Sequence, residues 1–320
     1  MEIFATNWAA LCANAKAFHL DLGRFRLLED FFARVEPDFF RRCCIAVRQD
    51  FPMAEVQAHF SSPELEKFLL LCIVANYPAM AEIYRQQKLP HPMLEEISWD
   101  LPRRLEILYR DLHGYGLTPD LFWWSRNCIS AQVKSFGRLQ ANDISFFQPD
   151  LSLYRQEDGR LEEHPAFQRE NPPHPDLTRG DKVISLHIPS TGPLLRTQCL
   201  ESFRRIRDFS AEFHPDYDFK AVVCASWLLD PQLEGLLPPT SNILQFQKLG
   251  YIVPQPERDR STDARWRIWG NLGNELPPEQ LPVRTTLEKQ LVAFFRSGGT
   301  LHGGLLVIFR DQLEDLVGNP

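Results

Sequence analysis

The chain has 320 residues, of which 44% are hydrophobic, and its formal net charge is −7. This length and apolar content are sufficient for a large buried core and favour two domains over one. The acidic balance argues against a nucleic-acid-binding protein, which needs a basic face to displace counterions from phosphates.

The seven cysteines form no C-x-x-C pair and no cluster with histidine at metal-ligand spacing. We therefore expect reduced thiols and no metal. The first residues lack the basic start and long apolar run of a signal peptide, and the longest apolar run, from Phe68 to Ala75, is too short to cross a bilayer. The sequence predicts a cytoplasmic protein with no membrane partner.

Residues 1–116 predict helices almost throughout. The tripeptide Ser62-Pro63-Glu64 is a helix start, with a capping hydroxyl, a proline in the first turn and an acidic residue. Pro78 interrupts or kinks the helix that follows, because it removes an amide donor. A further start at Asp100 leads to a stop at residues 113–116. We predict an all-helical domain over residues 1–116 and a second domain over residues 117–320.

Phe122-Trp123-Trp124 follows the predicted boundary. An aromatic cage for a ligand and a hydrophobic joint between two domains are both compatible with this cluster, and the joint is the simpler interpretation.

The pattern changes after Val133. Strands are predicted within 136–147, in a hairpin over 151–161 with a turn at Asp158-Gly159, and at 183–188, 219–226, 251, 266–269 and 304–309. Helices are predicted at 197–213, 231–236 and 286–296, and a proline-rich loop lies within 165–180. Helices followed by interleaved strands and helices predict an α+β protein with a mixed sheet.

The segment between the strand at 183–188 and the next helix is the first candidate site. Backbone amides at a helix start attract anions, and Gly192 lets the chain approach a phosphate closely. We therefore take Ser190, Thr191, Gly192 and Leu194 as candidate cofactor-binding residues. An ordinary strand-to-helix turn explains the same residues.

His187 ends that strand and is the candidate general base, since a histidine beside an anion site is able to take a proton from an amine or hydroxyl. The alternative is a half-buried histidine bonded to backbone. Tyr251 is the candidate acid, and Glu163 is a second candidate base.

Two later segments carry further candidates. Ser226 and Trp227 precede Asp230-Pro231, an ordinary helix start, and are assigned to the cofactor. Ser241, Asn242 and Gln245 share one face if helical and are assigned to the substrate, although a role in capping a short helix explains them equally well. Ser226 lies outside a G-x-S-x-G elbow, which disfavours a hydrolase.

Three runs of sequence carry a family resemblance: 187–199, 226–233 and 237–247, together with the tail segments at 266–270, 285–288 and 298–304. They resemble a bacterial group of predicted acyltransferases, which join an all-helical N-terminal domain to a C-terminal domain similar to the Gcn5-related N-acetyltransferases (GNAT). The resemblance covers most of residues 117–310 and, more loosely, the helical half.

The resemblance implies an acyl-CoA co-substrate such as acetyl-CoA, two central parallel strands that part in a V, and pyrophosphate held by amides at the following helix start. In this chain the strands would be 183–188 and 219–226, with the turn at 189–195. The wider superfamily uses an Arg/Gln-x-x-Gly-x-Gly/Ala loop, which residues 190–194 do not match.

Three hypotheses follow. The first is an acyl-CoA-dependent N-acyltransferase in which an amine of a small molecule or peptide attacks the thioester directly. The second is a non-catalytic binding or regulatory protein on the same scaffold, which the missing glycine loop favours. The third, a hydrolase using Ser226 or Cys224, has no evident activated nucleophile to support it.

Overall fold

A computed structural model describes residues 4–109, 115–157, 160–164 and 174–318. The chain divides into two compact units, Met1–Ser135 and Phe136–Pro320, a division that falls later than the boundary placed at 116/117 from the sequence. The predicted stop at 113–114, the Asp158-Gly159 turn and the proline pair at 172–173 lie outside the described residues.

The first unit consists of helices, as predicted. They are α1 (Trp8–Ala17), α2 (Leu22–Arg26), α3 (Glu29–Phe32), α4 (Pro37–Ala46), α5 (Met53–His59), α6 (Ser62–Ala75), α7 (Tyr77–Gln86), α8 (His91–Ser98), α9 (Asp100–Tyr109) and α10 (Pro119–Ile129). The predicted helix starts at Ser62 and Asp100 are confirmed. The capping hydroxyl predicted at Ser62 is wrong, because Ser62 is the first helical residue and the N-cap residue Ser61 forms no side-chain capping bond. The break before Pro78 is confirmed as well, because α6 ends two residues before α7 begins.

Helix α6 forms the centre of the first unit. Its residues from Phe68 to Ala75 are all fully buried. The stretch Ser62–Gln86 is long and apolar enough to cross a membrane by length and composition, and 67% of its most apolar 18-residue window is buried inside the protein, as in the core helix of a folded unit. Asn76 separates α6 from α7, and its Nδ2 donates to the carbonyls of Cys44 and Cys72 at 3.1 and 2.9 Å.

The aromatic cluster at 122–124 lies on α10, inside the first unit. Phe122 is fully buried and its ring centroid lies 4.4 Å from that of Phe51. Trp124 Nε1 donates to Asp100 Oδ2 at 2.9 Å, and the Arg104 guanidinium lies 4.3 Å from the Trp124 ring centroid. Phe122 therefore belongs to the core of this unit and Trp124 is half-buried against it, whereas Trp123 is exposed.

The second unit is built on a six-stranded sheet. The strands of this sheet are β1 (Lys134–Phe136), which begins two residues before the division, β2 (Leu139–Phe146), β6 (Lys182–His187), β7 (Ala221–Ser226), β8 (Tyr251–Gln255) and β9 (Gly303–Phe309), in the order β1-β2-β6-β7-β9-β8. A smaller sheet contains β3 (Ser152–Arg155), β4 (Leu161–His164) and β5 (Leu177–Thr178). The β3–β4 pairing is antiparallel, so the predicted hairpin is confirmed.

Helices connect these strands. They are α11 (Arg196–Phe213), α12 (Leu233–Leu236), α13 (Asn242–Gln247), α14 (Ser261–Trp269), α15 (Leu272–Glu275), α16 (Thr286–Arg296) and α17 (Arg310–Val317). The strand predicted at 266–269 is wrong, because this segment is the end of α14. Trp269 and Ala264 are buried on that helix in a core that Trp227 and Leu291 share.

Candidate functional site

The two central parallel strands, β6 and β7, pair over only part of their length. Their register joins Val183 to Ala221, Ile184 to Val222 and Ser185 to Val223. Beyond Ser185 each strand continues against its outer neighbour: His187 pairs with Gln140 of β2, and Ser226 pairs with Gly304 of β9. The inner edges of β6 and β7, both fully described, therefore part after three residue pairs.

The parting leaves an opening on one face of the sheet. Alternation places Val183, Ser185 and His187 on that face of β6, and Val223 and Ala225 on that face of β7. Val223 is buried, whereas Ala225 is exposed although it lies in a central strand. Solvent thus reaches the sheet beside His187.

His187 is held by a neighbouring strand. It is half-buried, and its Nε2 lies 2.7 Å from Asn142 Oδ1 on β2. Because a carbonyl oxygen only accepts, Nε2 carries the hydrogen of this bond in the neutral imidazole, and Nδ1 is then the basic nitrogen. Asn142 therefore favours the neutral tautomer with hydrogen on Nε2 and fixes the orientation of the ring.

The turn at residues 189–195 follows β6 and leads into α11. Ser190, Gly192 and Leu195 are exposed, and Gly192 has φ of +124°, a conformation that favours glycine. Among the residues that the structure describes, the amides of Ser190, Gly192, Leu194 and Leu195 have no hydrogen-bond acceptor. Within the described ranges no side chain caps α11, and the first turn of this helix contains no acidic residue. Such a turn suits an anion.

The carbonyl groups of the same turn are bonded to one side chain. Arg138, in the loop between β1 and β2, donates through Nη1 to Pro189 O at 2.9 Å, through Nη2 to Gly192 O at 2.7 Å and through Nε to Pro193 O at 3.0 Å. Arg138 therefore holds three carbonyl groups of the turn in one orientation, facing its guanidinium. Thr191 N also bonds within the turn, to Pro189 O at 2.9 Å.

Ser226 and Trp227 have structural contacts. Ser226 Oγ accepts a hydrogen bond from Leu228 N at 3.2 Å and caps the short 3-10 turn Trp227–Leu229. Trp227 is buried in the core of this unit. Both follow β7 directly, at the end where it has parted from β6.

The three residues assigned to the substrate lie at the start of α13. Ser241 caps the helix by accepting from Leu244 N at 3.4 Å, and Gln245 Nε2 donates to Pro239 O at 2.9 Å. Asn242 is exposed. The capping alternative therefore describes the observed contacts of Ser241.

Tyr251 and Glu163 do not lie at the opening. Tyr251 begins β8, which is three strand spacings from β6 in the sheet order, roughly 14 Å across. Its ring packs edge-on against Phe309, with centroids 6.0 Å apart. Glu163 is exposed on β4, in the separate three-stranded sheet.

Cys224, considered from the sequence as a nucleophile, is an unreactive buried thiol. Cys224 is buried on β7, and burial raises the pKa of its thiol to about 12, so the thiol stays protonated at neutral pH. Across the described ranges, no group of three or more His, Cys, Asp or Glu side chains is placed to hold a metal ion.

Two residues of this site escape sequence reasoning. Asn142 sits on β2, 45 positions before His187, and Arg138 lies 51 to 55 positions before the carbonyls that it binds. The only local signal is the Gly137-Arg138 pair between two strand-like segments, which marks a tight hairpin.

Comparison with known families agrees with this architecture. Residues 133–306, more than half of the chain, match the family described as the GNAT-like C-terminal domain. The chain belongs to this family, and the expected helical N-terminal region followed by a GNAT-like α/β domain is confirmed. No curated protein matches the sequence.

Three solved structures have a similar fold. One is an acyltransferase in complex with decanoyl-CoA, with 21% identity over 92% of this chain and 98% of that chain and a TM-score of 0.62. Another is an acyltransferase in complex with CoA and 10C-teicoplanin, with 19% identity over 95% of this chain and 89% of that chain and a TM-score of 0.67. The third is an acyltransferase in complex with decanoyl-CoA and teicoplanin, with 19% identity over 93% of this chain and 99% of that chain and a TM-score of 0.63. At these identities the likeness concerns the fold.

Proposed function

We propose that this protein is an acyl-CoA-dependent N-acyltransferase, which moves an acyl group from a CoA thioester to an amine of a small molecule or peptide. The observation that carries the proposal is the parting of β6 and β7 beside a turn in which four amides have no acceptor among the described residues. The acyltransferases of similar fold, whose solved complexes contain CoA or decanoyl-CoA, support it.

The turn and the parted strands fit the two ends of such a co-substrate. The amides of Ser190, Gly192, Leu194 and Leu195 suit the diphosphate, because they offer hydrogen bonds and the partial positive charge of a helix start. The inner edges of β6 and β7 no longer pair with each other beyond Ser185 and Val223, and the pantetheine arm, which contains amides, fits between two such edges. The exposed face beside Ala225 leaves room for the thioester.

His187 acts as the general base in this proposal. An amine is a nucleophile only when it is unprotonated, and Nδ1 of the tautomer fixed by Asn142 takes the proton that the amine loses. Ser241, Asn242 and Gln245 remain proposed contacts to donor or acceptor. Tyr251 lies too far across the sheet to be our choice of acid, and water is the simpler proton donor to the thiolate.

A thermal-shift experiment tests co-substrate binding. We expect CoA and decanoyl-CoA to stabilise the protein, by about 2.7 kcal/mol at a hundred times the dissociation constant. The variant A225F fills the opening and should abolish the shift. The variant I144F is the matched control, since Ile144 is already an exposed apolar residue on another strand. Equal shifts for both variants would argue against a site at the opening.

Turnover is tested with decanoyl-CoA and a panel of amines that includes amino sugars, short peptides and teicoplanin, by following thiol release. We expect H187Q to lower turnover at least about tenfold, within the usual range for a general base, while CoA affinity is unchanged. Unchanged turnover would remove His187 from the mechanism.

A binding protein that has lost catalysis is the second candidate, favoured by the absence of the glycine-rich loop from residues 190–194. CoA binding without thiol release, for any amine in the panel, would favour it. A cytoplasmic location is part of the proposal in either case.

A further inference from the structure

Arg138 is remote in sequence from the turn that it binds. It is the second residue of the two-residue loop between β1 and β2, and its three nitrogen atoms donate to Pro189, Gly192 and Pro193. A guanidinium presents its donors in a rigid planar fork. A single side chain thus fixes three carbonyl groups of the turn at once.

The loop that carries Arg138 is itself anchored to α11. Gly137 has φ of +85°, which the tight hairpin requires, and Leu139 N donates to Ser202 Oγ at 3.2 Å. Ser202 Oγ in turn donates to Gln198 O at 3.0 Å. The hairpin, the turn and the start of α11 are therefore joined by hydrogen bonds into one piece.

The carbonyl bonds determine where the amides of the turn point. In a planar trans peptide the N–H lies opposite the C=O. The carbonyls of Pro189 and Pro193 face Arg138, so the N–H groups of Ser190 and Leu194 face away from it. Arg138 thereby keeps carbonyl oxygens, which repel an anion, on the opposite side of the turn from these two donors.

The guanidinium also places charge at the helix start. It lies close enough to Cys199, in the first turns of α11, to act against the burial that raises the pKa of that thiol to about 11. This positive charge adds to the partial charge of the helix N-terminus.

We propose that Arg138 is the positioning residue of a diphosphate site formed by residues 189–195 and the start of α11. Arg138 belongs to a separate hairpin. From there it fixes the conformation of the turn and adds positive charge, as a contiguous Arg/Gln-x-x-Gly-x-Gly/Ala loop would do. This inference rests on the proposed function, because the diphosphate is that of CoA.

The test compares two ligands on the full chain. CoA contains the diphosphate, whereas pantetheine contains only the arm. Their dissociation constants are measured by calorimetry for CoA and by NMR titration for pantetheine. R138M should weaken CoA binding at least about tenfold, which is about 1.4 kcal/mol, and leave pantetheine binding unchanged. R138K keeps the charge but not the three-way fork, so it should also weaken CoA selectively.

The matched control is R204M, which removes an exposed guanidinium from α11 that pairs with Glu201 and does not contact the turn. It should leave both affinities unchanged. If the wild-type protein does not bind CoA, the proposed function fails and the inference fails with it. If the wild type binds CoA and both Arg138 variants bind it equally well, or lose both ligands alike, only the role of Arg138 is overturned.

Discussion

His187 and Asn142 lie on neighbouring strands, and their side chains form a hydrogen bond of 2.7 Å between Nε2 and Oδ1. His187 lies at the end of β6 where β6 and β7 have parted, and the bond holds its side chain in one orientation there. The protonation of the His187 imidazole therefore depends on Asn142, although Asn142 itself does not ionise.

Replacement of Asn142 tests this link. We expect N142A to lower the turnover of acyl transfer about tenfold, because the imidazole loses the bond that fixes both its tautomer and its orientation, while KM for the acyl-CoA stays the same. The measurement is steady-state kinetics of thiol release.

The control is S185A. Ser185 is the Cα partner of Asn142 on the same face of the sheet, and it should be replaceable without loss. N142D should move the pH–rate profile to higher pH, because a carboxylate favours the protonated imidazole. An N142D profile identical to that of the wild type would contradict the proposed pairing.

Gly192 and Gly298 form a second matched pair. Both have positive φ, +124° and +83°, and a Cβ atom at either position would meet no atom within 4 Å. Alanine at either site should cost about 1–3 kcal/mol of stability from backbone strain. Only G192A lies in the turn, so only G192A should also weaken CoA binding, as calorimetry would reveal. Equal CoA affinities of the two variants would count against the turn as the diphosphate site.

Gly304 permits a close packing of two segments. A Cβ atom there would lie 2.1 Å from Leu229 O, a distance that backbone atoms cannot accommodate without moving. We expect G304A to destabilise the protein by about 2 kcal/mol or more in urea unfolding. G235A, at an exposed helical position with open space, should be neutral or stabilising by up to about 1 kcal/mol. The reverse order would disprove the packing argument.

Alkaline pH should reveal the buried thiol of Cys224. Burial raises the pKa of this thiol from 9.0 to about 12 in the folded state. Above pH 9 the unfolded chain has lost a proton that the folded chain keeps, so stability falls as pH rises from 9 towards 12. The loss approaches about 1.4 kcal/mol per pH unit for one thiol. Urea unfolding under reducing conditions should show a shallower slope for C224A, and equal slopes would refute the assignment.

Much of the fold was accessible from sequence, because local patterns determined it. Helix α16 begins and ends where the pattern placed it, since the Thr285–Glu288 capping box marks its start and glycines mark its end. The exception is the segment at 266–269. Arg-Trp-Arg-Ile-Trp alternates like a strand, but Ala264, Ile268 and Trp269 also share a helical face, and packing of that face into the core decided the outcome.

The site was only partly predictable. His187 and the turn after it are consecutive in sequence, so the strand-to-helix pattern located both. The positions of Asn142, Arg138 and Tyr251 depend instead on the order of strands in the sheet, which joins β2 to β6 and puts β9 between β7 and β8. The order of strands in the sheet cannot be predicted from the spacing of residues within one segment of the sequence.

The gap between β6 and β7 lies between two main-chain edges that stop pairing after Ser185 and Val223. Its width therefore depends on the path of the two strands, and flanking residues can change without closing it as long as a small side chain stays at Ala225. Chains with only 19–21% identity share this fold, and a cleft of this construction is one that such divergence would preserve. Evolution would then alter which molecule fits the cleft more easily than whether the cleft exists.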